Sequence, residues 1–273
     1  TRNGFSYNIG AMIGLSENRI TSYGDAPYAP EYQKYVGTPL NSARTGSTLV
    51  DDRYFNTIDE IHGYPLYTSE WTNVVPGVYK FLDYTADGSI SQKDLHTLKG
   101  STYAPGVYSF NLGFSWKGLS FKTLCTGTIG KYINYRRAAI IPFYSGDYVV
   151  HASHLDYWTP TNRKSSVPVL SLSDEMYSWA GGTSAWPGYD LALDGYTWKK
   201  SDYMTIKEMS LIYTFDGKKL RKALGVRSLS LGVICNNLLT FTGLMEQDPQ
   251  RLTTAENYYP TMRIVKLNLN LSF

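Results

Sequence analysis

The chain has 273 residues, of which 15% are aromatic and only 18% charged, with 24 tyrosines, 24 glycines and a formal net charge of +3. Interspersed signs leave no basic stripe for nucleic acid, so no nucleic-acid partner is expected, and no run reaches the ~18 to 20 apolar residues of a membrane helix. This balance predicts an all-β chain with residues that favour strands and interfaces.

The first predicted strand lies in "GFSYNIGAMIGLS", where Phe5, Tyr7, Ile9, Ala11, Ile13 and Leu15 alternate with Ser6, Asn8, Gly10, Gly14 and Ser16. The chain opens inside this pattern, without methionine or a hydrophobic leader, so a piece of a longer precursor is expected. A long connection, 21 to 106, follows. It contains "DYTADGSISQKD", whose acidic and hydroxyl residues fall at the spacing of a twelve-residue calcium loop. The spacing makes Asp83, Thr85 and Asp87 side-chain ligands, with Ser89 acting through its carbonyl and Ser91 directly or through water. Asp94 is the closing carboxylate, and Gly88 permits the sharp turn. The flanking "VPGVYKFL" is no amphipathic helix, so this is not an EF-hand, and an unmetallated Asx/Gly turn is the alternative.

Next comes "VYSFNLGFSWKG", in which Tyr108, Phe110, Leu112, Phe114 and Trp116 oppose Ser109, Asn111, Gly113, Ser115 and Lys117. Runs at about 119 to 131, 203 to 215 and 227 to 241 are compatible with strands. In "TMRIVKLNLNLSF" Val265, Leu267, Leu269, Leu271 and Phe273 alternate with Lys266, Asn268, Asn270 and Ser272. Six strands of about ten residues result, roughly twice the usual soluble length. Short connections at 117 to 118 and 216 to 227 alternate with long ones at 21 to 106, 132 to 202 and 242 to 260. Short turns on one rim and long loops on the other describe a transmembrane antiparallel β-barrel of the bacterial outer membrane. Tyr108, Trp116, Tyr203, Tyr213 and Phe215 fall near strand ends, where an aromatic girdle is expected, and Cys125 and Cys235 read as buried or lipid-facing free thiols.

The stretches "DYTADGSISQKDLHTLKGSTYAPGVYSFNLGFSWKG" and "SDYMTIKEMSLIYTFDGKKLRKALGVRSLSLGVICNNLLTFTGLMEQDP", the latter with Asn237, Leu238, Phe241 and Thr242 at motif positions, carry a family resemblance. With the closing "YYPTMRIVKLNLNLSF", the chain resembles the C-terminal part of SusC/RagA-type TonB-dependent outer-membrane transporters. Thr85 and Ala86 depart from that family's usual asparagine and glycine. The resemblance implies that residues 1–273 form about six C-terminal strands of a 22-stranded barrel, with the plug and remaining strands in another segment. It implies a SusD-like surface lipoprotein as lid, TonB contact through the missing N-terminal region, and a glycan or peptide as imported cargo.

Other constellations are blander. Trp158, Trp179, Trp186 and Trp198 could stack on sugars, meet a partner, or pack within their loop. His151 and His154 lack an acidic partner at metal spacing, and "GGTSAWPGYD" lacks the helix and Lys-Ser/Thr pair of a phosphate loop. Lys218, Lys219, Arg221 and Lys222 form a basic turn suited to anionic headgroups. No nucleophile arrangement or carboxylate pair suggests an enzyme. A secreted or surface-anchored calcium-stabilised β-protein for adhesion or ligand binding is the alternative to an importer.

Overall fold

The computed structural model describes residues 4–40, 47–48, 50–67, 74–97, 100–134, 152–170, 198–216, 225–244, 248–250 and 259–273. Its principal sheet is an antiparallel meander of β1 (Ser6–Leu15), β2 (Gly106–Trp116), β3 (Leu119–Ile129), β4 (Tyr203–Asp216), β5 (Ser228–Asn236), β6 (Thr240–Thr242) and β7 (Ile264–Ser272). The order is β1-β2-β3-β4-β5-β7, and β6 continues β5 along β4. All six expected strands are therefore present.

Register turns the one-dimensional alternation into two faces. Ile9 pairs with Leu112, Phe114 with Phe121, Leu211 with both Phe121 and Val233, and Val233 with Leu267. One continuous apolar face results, because cross-strand partners point to the same side. It is turned away from the rest of the chain: Ile9 is 72% exposed, Leu269 65% and Leu267 87%. Every charged strand side chain that is described, namely Lys122, Lys207, Glu208 and Lys266, lies on the opposite face. A soluble sheet would bury its apolar face and wet its polar one. This arrangement is the reverse, as a barrel in lipid requires. Cys125 and Cys235 are free and buried on the apolar face.

A β-bulge at Lys207 keeps the faces consistent. Below it the apolar residues of β4 are odd-numbered (Met209, Leu211, Tyr213), and above it they are even-numbered (Met204, Ile206). One extra residue restores the parity, and both Lys207 and Glu208 turn to the polar side. The same shift corrects the expectation for Tyr203. Its register partner is Thr128, so it lies on the polar face and not in an aromatic girdle. Opposite the bulge, Asn237 adopts φ +51°; its backbone N–H donates to the Lys207 carbonyl and its Nδ2 to the Met262 carbonyl at 3.1 Å.

At the lower rim, Lys117 (φ +47°) and Gly118 (φ +88°) close the β2–β3 hairpin, the two positive φ values being those of a two-residue turn matched to strand twist. Phe5, Phe114 and Phe121 stack near this rim at centroid spacings of 6.2 and 5.3 Å, and Lys117 Nζ lies 4.8 Å from the Trp116 ring centroid. Lys218, Lys219, Arg221 and Lys222 lie outside the described residues.

At the other rim the long connections build a second body. Short strands at Val50–Tyr54 and Tyr79–Phe81 pair, and Tyr54, Phe55, Val78, Tyr79, Phe81 and Ile90 are buried there. The helix Ile58–His62 is started by a reciprocal cap: Thr57 Oγ1 accepts from the Glu60 N–H at 3.2 Å, and Glu60 Oε2 accepts from the Asn56 N–H at 2.9 Å. Among the described residues, β1 and β7 each pair on one side only, so the sheet is open at both edges.

Candidate functional site

The polar face of the sheet is furnished with hydroxyls and amides that the register brings together. Ser6 and Ser115 Oγ atoms are 2.6 Å apart, Thr205 and Thr240 Oγ1 are 2.9 Å apart, and Thr214 Oγ1 is 3.0 Å from Ser230 Oγ. Across β1 and β2, each asparagine lies over a glycine of its neighbour. A Cβ at Gly10 would sit 2.3 Å from Asn111 Oδ1, and one at Gly113 would sit 2.2 Å from Asn8 Oδ1. Those glycines leave room for the amides to lie flat. Beside them is a cleft of about 200 Å³ lined chiefly by Asn8, Asn111, Lys122, Leu124 and Glu208.

Above the cleft, Lys207 Nζ donates to Gln250 Oε1 at 3.2 Å, which ties the bulge to the connection before β7. Lys131 is buried and donates to the Pro249 carbonyl at 3.3 Å, and its burial pushes the ammonium below its ordinary range. The Gly130 N–H donates to Asp202 Oδ1 at 2.6 Å. The barrel wall and its upper connections are thus joined by polar contacts.

The loop bodies at the mouth are clamped to each other. Trp158, only 5% exposed, donates from Nε1 to Asn56 Oδ1 at 3.3 Å, and its ring covers Gly77, where a Cβ would lie 2.6 Å from Cε3. The Val169 N–H donates to the Gly77 carbonyl at 3.1 Å, and Arg53, held at φ +62°, reaches the Lys164 and Ser165 carbonyls at 3.3 and 3.2 Å. For Trp158, packing within the chain is the role observed. Trp179 and Trp186 lie outside the described residues, and so does the side chain of Trp198. His154 is buried at 2% exposure, and His151 lies outside the described residues.

In the loop 83–94, residues at positions one, three and twelve meet. Thr85 Oγ1 donates to Asp94 Oδ1 at 2.9 Å and lies 3.4 Å from Asp83 Oδ1. Asp94 is fully buried and also accepts the Thr85 and Ser91 N–H groups at 3.0 and 2.8 Å. Asp83 accepts the Gly88 N–H at 2.8 Å, and Gly88 takes φ +84°, as expected of the turn glycine. Asp87 turns elsewhere: Oδ1 accepts from the Ser89 N–H and hydroxyl, and Oδ2 pairs with Lys93 Nζ at 2.9 Å. The Lys93 contact, then the Ser89 N–H, hold the Asp87 carboxyl below its ordinary range. Among the described residues, no three His, Cys, Asp or Glu side chains gather as a metal-holding group. Sequence spacing found the Asp83–Thr85–Asp94 convergence but missed Lys93, which lies on no liganding position.

No family model matches the chain. It is 27% identical over 214 residues to TonB-dependent receptor P26 of Formosa agariphila, covering 73% of this chain and 20% of that receptor. Among solved structures, it is similar over its whole length to a chain of the RagAB peptide importer in the open-open state (TM-score 0.62, 16% identity). The same holds for the closed-closed state (TM-score 0.65, 18% identity), and the chain spans 27% and 28% of those two chains. These relatives are receptors and importers, not enzymes. With its lipid-type exterior, alternating rims and these likenesses, the chain is an outer-membrane β-barrel portion that resembles the SusC/RagA-type TonB-dependent receptors.

Proposed function

We propose that the chain forms the C-terminal part, about six of 22 strands, of the wall of an outer-membrane active importer for large nutrients, glycans or peptides. The observation that carries this reading is the inverted sheet: apolar outside, polar inside, and open at both edges. Unpaired edge N–H and C=O groups cost several kcal/mol each in hydrocarbon, so further strands close the sheet; the resemblance implies that they, and a lumen-filling plug, come from a segment outside this sequence. A SusD-like surface lipoprotein covers the clamped loops, and TonB is reached through the absent region. Deleting the gene for the whole receptor should abolish protonophore-sensitive uptake of fluorescent oligosaccharide or peptide pools too large for general porins. Unchanged uptake, or recovery of the protein from cells by buffer without detergent, would sink the reading.

We further propose that the loop 83–94 takes calcium, with Asp83, Thr85, Asp87, Ser89, Ser91 and Asp94 as donors. The contact of Thr85 with both end carboxylates supports it. The ion would supply a fixed charge that ties these oxygens together and would draw Asp87 away from Lys93. Millimolar calcium should then slow proteolysis of this loop in wild type but not in Asp87→Ala. Protease sensitivity unchanged by calcium in wild type, with Asp87→Ala behaving like wild type, would leave the segment a hydrogen-bonded turn.

A further inference from the structure

One cation on the lipid side of the lower rim has no counter-charge. Lys117 occupies the first turn position of the β2–β3 hairpin at φ +47°, a left-handed conformation that favours Asn, Asp or Gly over lysine. Its ammonium lies 4.8 Å from the centroid of the Trp116 ring, and Trp116, in register with Leu119, belongs to the apolar face. The charge is therefore turned toward lipid, and among the described residues it forms no ion pair. Glu208 and the charged strand lysines lie on the opposite face. β2, β3 and β4 are each paired on both sides, and the lumen lies behind them, so neither an edge strand nor a plug reaches this spot. A backbone held in a sparsely populated conformation points to function.

Trp116 and Tyr213 are both register partners of Leu119 and flank it on either side. Adjacent strands set the two aromatic residues about 9.4–9.8 Å apart at the backbone, with half-buried Leu119 as the floor between them. The phenol end of Tyr213 lies beside the turn, since a Cβ at Gly118 would be 3.7 Å from its Cζ. Phe121, the next apolar position of β3, continues the floor away from the rim. An ammonium, an indole N–H and a phenol O–H thus stand at one end of an apolar trough. Their complement is a phosphodiester above acyl chains, with the rings at headgroup level and Leu119 and Phe121 against the hydrocarbon. The unopposed cation favours a headgroup of net negative charge over a zwitterion.

We infer that Lys117, Trp116 and Tyr213 form a site for one anionic phospholipid of the periplasmic leaflet, with Lys117 on the phosphate and an acyl chain along Leu119 and Phe121. The short-turn rim is the periplasmic one in a barrel of this kind. This inference rests on the assignment of the lipid face and not on what is imported. Asparagine at 117 would suit the turn better and would carry no charge.

The test uses the full-length receptor in nanodiscs of equimolar phosphatidylglycerol and phosphatidylcholine. Phe121 is replaced by the photo-crosslinker p-benzoylphenylalanine, and mass spectrometry counts the lipid adducts. With Lys117 present, phosphatidylglycerol adducts should exceed phosphatidylcholine adducts about fivefold, the effect of one cation beside an anionic leaflet. Lys117→Asn should abolish the enrichment while the barrel resists urea at least as well as before, and Lys117→Arg should keep the enrichment. Equal adducts with Lys117 present would overturn the inference. So would enrichment that survives Lys117→Asn, which would move the preference to the basic turn at 218 to 222, or a Lys117→Asn barrel weaker in urea, which would make the lysine a turn residue. Absence of any lipid adduct would count against the lipid face itself, whereas equal adducts count against this site alone.

Discussion

Gly127 is the position on the apolar face where a single methyl group should do most harm. It pairs with Tyr108 across β2 and β3 and with Met204 across β3 and β4. The Tyr108 ring lies over it, with the phenol O–H donating to the Tyr203 carbonyl at 3.3 Å. A Cβ at 127 would stand 2.3 Å from Tyr108 Cζ and 2.3 Å from the Tyr203 carbonyl oxygen. Rotating the tyrosine relieves the first collision but not the second, which is backbone. Bringing that contact to 3.0 Å requires 3.0 − 2.3 = 0.7 Å of movement between paired strands. Overpacking of this kind costs about 1–3 kcal/mol, and the lost hydrogen bond adds about 1 kcal/mol. Gly127→Ala should therefore destabilise by about 2–4 kcal/mol, whereas Tyr108→Phe, which loses only the hydrogen bond, should cost about 1 kcal/mol. Urea titration of the full-length protein in lipid vesicles, read by the heat-modifiable gel shift of folded barrels, measures both. A Gly127→Ala protein as stable as wild type would refute the close-approach reasoning.

Gly118→Ala should weaken the β2–β3 hairpin by about 1–3 kcal/mol, because φ is +88° and the new Cβ would lie 2.5 Å from the Thr214 carbonyl; the same urea titration reads it. Trp158→Ala should cost about 3–5 kcal/mol locally and open both loop segments to protease together, while the barrel gel shift persists. The Glu60 carboxyl is held below its ordinary range, first by the Asn56 N–H and then by Lys80. Its contribution is complete above the ordinary Glu value of about 4.3 and is lost as pH falls through the lower folded value. Protection of the Asn56 amide, corrected for intrinsic exchange, should therefore decline on acidification in wild type and not in Glu60→Gln.

The strands were legible in the sequence because a lipid-facing strand must alternate strictly, as Val265 to Phe273 do. The bulge in β4 was harder to see, since one extra residue shifts apolar parity from Met204 and Ile206 to Met209 and Leu211. The consecutive polar pair Lys207–Glu208 at the parity change was the available signal. Tyr203 was misplaced for the same reason. The cleft was not legible, because it depends on which strands pair and in what register: Asn8 is set over Gly113, 105 positions away, only by the β1–β2 ladder. Trp158 on Gly77 is likewise a contact between different connections, with no local pattern to announce it. In the loop 83–94, spacing was enough to bring Thr85 between Asp83 and Asp94, because these contacts form within one turn of chain.

The inverted sheet is tested most directly by placing arginine at two adjacent positions of β7 in the full-length protein. Leu269 faces Leu231 on the apolar side, and Asn268 faces Gly232 on the polar side. Refolding equilibria in lipid vesicles should show Leu269→Arg destabilised by about 2–4 kcal/mol, the cost of arginine near the bilayer midplane, and Asn268→Arg close to wild type. Equal losses at both positions, or a greater loss at Asn268, would contradict the assignment of lipid and lumen faces.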